Sequence, residues 1–201
     1  MRPEALARLI REKAGAAPRF VTAIAGPPGA GKSTLAAAVV ADLGQGARVV
    51  PMDGFHYDDA VLTARGLRSR KGAPETFDAH GFLHLMGRLR TGEEVAIPVF
   101  DRSMELSRSA ADVVLPSDRF LVVEGNYLLL DEEPWRGLAP FFDLTVFLDV
   151  PEAELDRRLV DRWNHHGRDP VEARHWIDTN DLPNVRRVTQ GSRKADVVIA
   201  G

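Results

Sequence analysis

Apolar residues gather in five short runs along the chain, at Phe20–Ala25, 48–52, 120–124, 144–150 and Val197–Ala200. All but the second are nearly continuous in apolar side chains, as expected of strands covered on both faces of a parallel sheet. Between them the spacing becomes helical: over Lys32–Leu43 ending at Gly44, over 79–90 ending near Gly92, and over 151–165 ending at Gly167. The alternation predicts an α/β protein, a three-layer α/β/α sandwich around a five-stranded parallel sheet with right-handed crossovers. Leu6, Leu9, Ile10 and Lys13 predict an amphipathic surface helix within residues 1–17. Glu4, Arg8, Arg11, Glu12 and Lys13 interrupt that segment, which argues against a signal peptide or a membrane span.

Residues 55–117 show little apolar periodicity in their first half, so this segment is expected outside the core as a substrate-side insertion. Within it, the strand-like run 95–97 leads into Pro98, Val99, Phe100, Asp101 and Arg102, which read as a hairpin or flap. No repeat and no long linker divides the chain, so residues 1–201 are expected to form a single domain.

Composition narrows the function. A chain of 201 residues buries about 70% of its unfolded surface, enough for one core without disulfides or a structural metal. The absence of cysteine removes thiol catalysis and thiolate zinc sites and is compatible with a cytoplasmic protein. A formal charge of −3 lacks the basic footprint of a nucleic-acid binder, so a small-molecule partner is expected, with neither nucleic acid nor membrane. A homodimer is compatible with this reading.

The strongest chemical signal is Gly26-Pro27-Pro28-Gly29-Ala30-Gly31-Lys32-Ser33-Thr34, which fits the phosphate-loop pattern G-x-x-x-x-G-K-[ST] between a predicted strand and a predicted helix. Its glycines let successive backbone amides turn inward toward phosphate oxygens at a helix N-terminus. Lys32 would set an ammonium between the β- and γ-phosphates, and the Ser33 hydroxyl can ligate Mg²⁺.

Ligands of open parallel sheets bind beyond the carboxyl ends of the strands, so the residues after each run matter most. The second run ends at Asp53, before Gly54, Phe55, His56 and Tyr57, and Gly54 permits a sharp turn. The third ends at Glu124, where a carboxylate at the tip of an apolar strand needs a partner and suits a Mg²⁺ site. Arg65, Arg68, Arg70 and Lys71 form a basic loop cluster. His56, His80 and His84 have no metal-site spacing, and His84 is expected to be half-buried. After the fourth run, Arg158 and Arg162 share a helix face, with Arg157 to one side and Arg168 just beyond Gly167. They suggest a helical lid over residues 152–170 that neutralises phosphates. The bland alternative is a solvent face with Glu154 and Arg158 as an i,i+4 pair.

These residues resemble the phosphoribulokinase, uridine kinase and pantothenate kinase superfamily of phosphate-loop kinases. The pieces that carry the resemblance are GPPGAGKST, MDGFHYDD, RGLRSRKGAPETFD, IPVFDRS, VVEGNYLLL, the RRLVDRW helix, NDLPN and the closing KADVVIAG. Among members, the chain is most similar to bacterial proteins provisionally described as fructose-transport-system kinases. The resemblance implies ATP with Mg²⁺ as phosphoryl donor, Asp53 as base for an acceptor hydroxyl, Glu124 near the metal, and adenine contacts around Arg193, Lys194 and Ala195. The acceptor pocket is expected to be built from Asp53, Phe55, His56, Arg65, Lys71, Asp101 and Arg102. Pantothenate kinases carry Tyr and His where this chain has Phe100 and Arg102, which argues against pantothenate as acceptor. The expected activity is ATP-dependent phosphorylation of a hydroxyl on a small metabolite, a sugar such as fructose, with Lys32, Asp53, Glu124, Arg158 and Arg162 as the catalytic set. A uridine or nucleoside kinase and a pantothenate kinase-like enzyme are the nearest alternatives. A nucleotide-dependent switch is the alternative of another class, although no guanine-reading N/T-K-x-D tetrapeptide occurs.

Overall fold

The computed structural model describes residues 1–165 and 167–201. Strands β1 (Phe20–Ala25), β2 (Ala47–Pro51), β5 (Phe120–Gly125), β6 (Leu144–Asp149) and β7 (Val197–Ala200) form one sheet in the order β2-β5-β1-β6-β7. Every pairing in it is parallel. The two strands that read as most continuously apolar, β1 and β5, are buried along their whole length in the middle of the sheet. The less apolar β2 is an edge strand and only partly covered, which explains its weaker signal.

Alternate β1 side chains feed two separate cores. Phe20 and Ile24 pack with helices α1 (Pro3–Ala14) and α2 (Lys32–Leu43). Val21, Ala23 and Ala25 pack with helix α4 (Ala79–Leu89) and the 3₁₀ segment Trp135–Phe141. The expected three-layer α/β/α sandwich follows. Helix α1 buries Leu6, Ala7, Ile10 and Ala14, and its Arg11 donates to the carbonyls of Asp42 and Leu43 at the end of α2. No helix among the described residues is long and apolar enough to cross a membrane.

Two segments depart from the expected pattern. Leu62, in the short helix α3 (Asp59–Ala64), is fully buried, as are Ala73 and Phe77 in the following loop. The first half of residues 55–117 is therefore partly core. Its apolar residues sit in short turns rather than one regular element, so no period betrays them. The flap is longer than its sequence suggests: β3 (Val95–Asp101) and β4 (Leu106–Val114) form an antiparallel ribbon with an irregularity between Ile97 and Val99, where Pro98 cannot donate to the ladder. Toward the carboxyl end, α5 (Glu152–His165), α6 (Pro170–Trp176), a π turn (Ile177–Asp181) and α7 (Leu182–Gly191) make a helical lid.

Gly54 is needed for space rather than for a special backbone angle. A Cβ there would lie 2.3 Å from the Pro98 carbonyl oxygen, so the turn after β2 and the ribbon meet backbone to backbone. Gly54→Ala should therefore push the ribbon away and lower the unfolding free energy by about 1–3 kcal/mol. An unchanged urea midpoint would contradict that contact.

Candidate active site

The carboxyl ends of β1, β2 and β5 meet at a cavity of about 620 Å³. The phosphate loop forms its floor. Gly29 and Gly31 have φ of 82° and 90°, left-handed conformations that glycine adopts without a Cβ clash. Gly26 has a different reason: a Cβ would come within 2.9 Å of the Leu148 carbonyl oxygen on β6. Gly31 leads into α2, whose first amides face the cavity with no side-chain cap. Lys32 is 8% exposed and its Nζ donates to the Pro27 carbonyl at 2.9 Å, inside the loop it belongs to.

Charge in this floor is tightly arranged. Burial pulls the Lys32 ammonium down to about 8, against the opposing pull of Glu124 and Asp53. Glu124, itself buried at 6% exposure, is pushed upward mainly by burial and by Asp53, while Lys32 and a hydrogen bond from Ser33 hold it down. Ser33 and Glu124 thus offer two adjacent hard oxygens, a donor set that suits Mg²⁺ completed by phosphates and water. No group of three His, Asp or Glu residues able to cage a metal occurs among the described residues.

Asp53 lies in the 3₁₀ turn Met52–Phe55 and accepts from Arg102 Nη2 at 2.8 Å. Its neighbour His56 stacks on Phe77 with centroids 4.0 Å apart and faces Phe100 at 4.9 Å. Burial, reinforced by Lys71 and Arg102 and opposed by Asp53, lowers the His56 imidazole to about 4, so the ring is neutral at physiological pH. Its Nδ1 is buried and has no hydrogen-bond partner among the described residues. Lys71 is buried and its Nζ donates to Asp59 at 2.7 Å and to both the carbonyl and the carboxylate of Glu105.

Not every sequence-predicted residue reaches the cavity. His56, Lys71 and Arg102 line it, whereas Phe55, Arg65 and Asp101 do not. Phe55 packs against Phe82 at 5.0 Å, and Arg65 stacks over Tyr57 at 4.4 Å. Asp101 accepts hydrogen bonds from the Ser103 and Met104 amides and shapes the ribbon tip. His84 is exposed rather than half-buried. Arg158, Arg162 and Arg168 line the cavity; Arg158 also makes the i,i+4 pair with Glu154, at 2.6 Å. Arg157 points outward to Glu154 and Asp161. Phe77, Phe100, Glu105, Trp163, Trp176, Asp181 and Asn184 also line the cavity and were missed as site residues. Asp181 and Asn184 belong to the quoted NDLPN motif, a polar cluster around a proline that could have drawn attention.

Arg193, Lys194 and Ala195, expected at the adenine, line neither cavity. Ile24 is level with Val146, and Val146 with Val197, so these three residues come before β7 begins, on the side of Ile24 away from the phosphate loop. Arg193 donates its amide to the Leu129 carbonyl, and Ala195 is buried in the core. The chain passes there because a parallel β7 must begin at the amino end of the sheet. At the level of the loop lies instead a second, largely apolar recess of about 390 Å³, lined by Thr34, Leu35, Val150, Ile199, Gly201 and Arg158 among others. Arg158 stands between the two cavities.

The sequence model of the phosphoribulokinase/uridine kinase family matches residues 21–200. An uncharacterized Escherichia coli (strain K12) protein, YggC, is 36% identical over 188 residues, 90% of this chain and 77% of that protein. A Schizosaccharomyces pombe protein provisionally named as a uridine kinase is 31% identical over 194 residues, 90% of this chain and 83% of its own. A crystal structure from Silicibacter sp. TM1040, provisionally described as a fructose transport system kinase, superposes with a TM-score of 0.93 at 42% identity over 99% of each chain.

Lys32 supplies a direct test of the floor. With the ammonium lowered to about 8, affinity for a nucleoside triphosphate should fall as pH rises through 8, because the free protein then loses the charge that the phosphates require. Calorimetric titrations at pH 7 to 9.5 should show this decline in the wild type and not in Lys32→Met. A flat wild-type profile would contradict the assignment.

Proposed function

Because the chain belongs to the phosphoribulokinase/uridine kinase family of phosphate-loop kinases, we propose that it transfers the γ-phosphoryl group of ATP to a hydroxyl of a small neutral metabolite, a sugar such as fructose. Membership carries phosphotransfer and ATP use; the acceptor and the residue roles are this reading's own. The observation that carries it is Asp53, whose carboxylate stands at a strand tip within electrostatic reach of both Lys32 and Glu124 across the phosphate loop.

The steps follow from positions. The adenine occupies the apolar recess beside Ile199 and Val150, and the triphosphate lies along the loop amides, Lys32, Arg162 and Arg168. Ser33 and Glu124 would hold Mg²⁺, which neutralises phosphate charge when bound. Asp53 accepts the proton of the acceptor hydroxyl as that oxygen forms its bond to the γ-phosphorus and the bond to the β-γ bridging oxygen breaks. Arg102, which pairs with Asp53, must release that carboxylate for the hydroxyl to reach it. Lys32 and the lid arginines stabilise the charge that builds on the transferred group.

Support for a neutral acceptor comes from charge balance. At the acceptor end, Arg68 and Lys71 are paired with Asp59, Lys71 also with Glu105, and Arg102 with Asp53. An anionic acceptor such as pantothenate would have to displace these carboxylates, whereas a polyol can bond to them. The faces of Phe100 and His56 suit the apolar side of a sugar ring. They would also suit a nucleoside base, which keeps a nucleoside acceptor as the second reading.

Asp53→Asn should lower kcat by about 10²-fold or more while nucleotide affinity stays within twofold. A screen of ATP consumption over sugars, sugar phosphates, nucleosides and vitamins should identify the acceptor as a neutral compound. Equal loss of ATP affinity would reassign Asp53 to the metal, and stimulation only by anionic compounds would overturn the charge-balance argument.

A further inference from the structure

Three lid residues without a role in the steps above form a cage around Arg168. The guanidinium carbon of Arg168 lies 4.6 Å from the ring centre of Trp163 and 4.8 Å from that of Trp176. The two indoles meet edge to face with centroids 6.3 Å apart. Trp163 comes from α5, Trp176 ends α6, and Arg168 sits in the connection between those helices. Asp181, the last residue of the π turn, ties them together. Trp163 Nε1 donates to Asp181 Oδ2 at 2.8 Å, and Trp176 hydrogen-bonds the same carboxyl. All four side chains line the large cavity. Burial raises the Asp181 carboxyl, against the indole hydrogen bonds and the charges of Arg162 and Arg168. The π turn is a local irregularity of the kind that often marks functional positions, and here its final residue reaches the two indoles.

The cage gives the arginine a direction. The two ring centres lie in directions roughly at right angles from the guanidinium carbon, so the indoles wall one side of Arg168 and leave the opposite side for a ligand. Arg168 Nη1 is buried, has no hydrogen-bond partner among the described residues, and forms no ion pair there. A buried unpaired donor is costly, and a phosphate oxygen would satisfy it. We infer that Asp181, acting through Trp163 and Trp176, is a positioning residue that holds Arg168 with its unpartnered Nη1 toward the polyphosphate of the bound nucleotide. The inference rests on the phosphotransfer reading and adds to it how the lid arginine is set before the nucleotide arrives.

The test is a double-mutant cycle on the full chain, titrated calorimetrically with two probes, the Mg²⁺ complex of AMP-PNP and adenosine. Asp181→Asn should weaken AMP-PNP binding about tenfold and leave adenosine within twofold, since adenosine has no phosphate for Arg168 to meet. Arg168→Ala should do the same, and the double variant should be no weaker than Arg168→Ala alone. Trp176→Leu, which removes one face of the cage, should weaken AMP-PNP several-fold and spare adenosine, and serves if Asp181→Asn does not fold. Additive losses, or an equal loss for adenosine, would make Asp181 a merely structural residue and overturn the inference alone. A wild-type chain that binds no AMP-PNP would sink the nucleotide reading and the clamp with it.

Discussion

A lysine ammonium buried at the tips of three parallel strands constrains everything around it. Lys32 is 8% exposed, and an uncompensated charge there would be costly. Its compensation comes from one loop carbonyl and from carboxylates that the sheet order brings alongside. With β5 between β1 and β2, Glu124 is level with Ile24 on one side and Pro51 on the other, so the acids ending β5 and following β2 stand next to the phosphate loop. Two close approaches keep them there. A Cβ on Gly125 would lie 2.5 Å from that of Met52, and one on Gly54 would strike the ribbon. Strand order, glycine placement and charge thus solve one problem together.

The two ends of the cavity treat charge differently. At the end proposed for the donor, Arg162 and Arg168 are held by aromatic contacts, with no carboxylate at ion-pair distance among the described residues. Stacking leaves an arginine's charge available, as the proposed phosphate contacts require. At the acceptor end every lining cation already has a carboxylate partner. Under the proposed reaction, an ion pair that the acceptor must open is also a barrier to water in its place, because only a ligand that replaces the lost contacts recovers their energy. The same division accounts for the different structures of the two walls. The lid is helical and arginine-rich, while the acceptor wall is a ribbon and loop rich in matched charge.

Much of the fold was legible because its signals are local. All five core strands could be read from short apolar runs, nearly continuous in all but the second, and α2, α4 and α5 from helical spacing and glycine stops. The phosphate loop could be read because its chemistry needs consecutive residues. The places of Asp53 and Glu124 at the cavity followed from the rule that ligands of parallel sheets bind beyond the strand tips. What stayed hidden depends on contacts distant in sequence. Leu62, Ala73 and Phe77 reach the core from irregular turns. The cage joins residues 163, 168, 176 and 181 through a π turn that has no sequence period. Arg193, Lys194 and Ala195 precede β7 and line neither cavity, because a linear motif does not say on which side of a strand it lies. Phe55, Arg65 and Asp101 stand next to site residues in sequence, yet they serve packing and turn geometry.

The most direct test of the central claim is a crystal structure of the protein with AMP-PNP and magnesium. The account predicts the triphosphate along residues 26–34, the purine in the apolar recess beside Ile199, and the Asp53 carboxylate facing the terminal phosphate with Arg102 withdrawn. A nucleotide bound elsewhere, or Asp53 still paired with Arg102 and turned from the phosphate with an acceptor present, would contradict it.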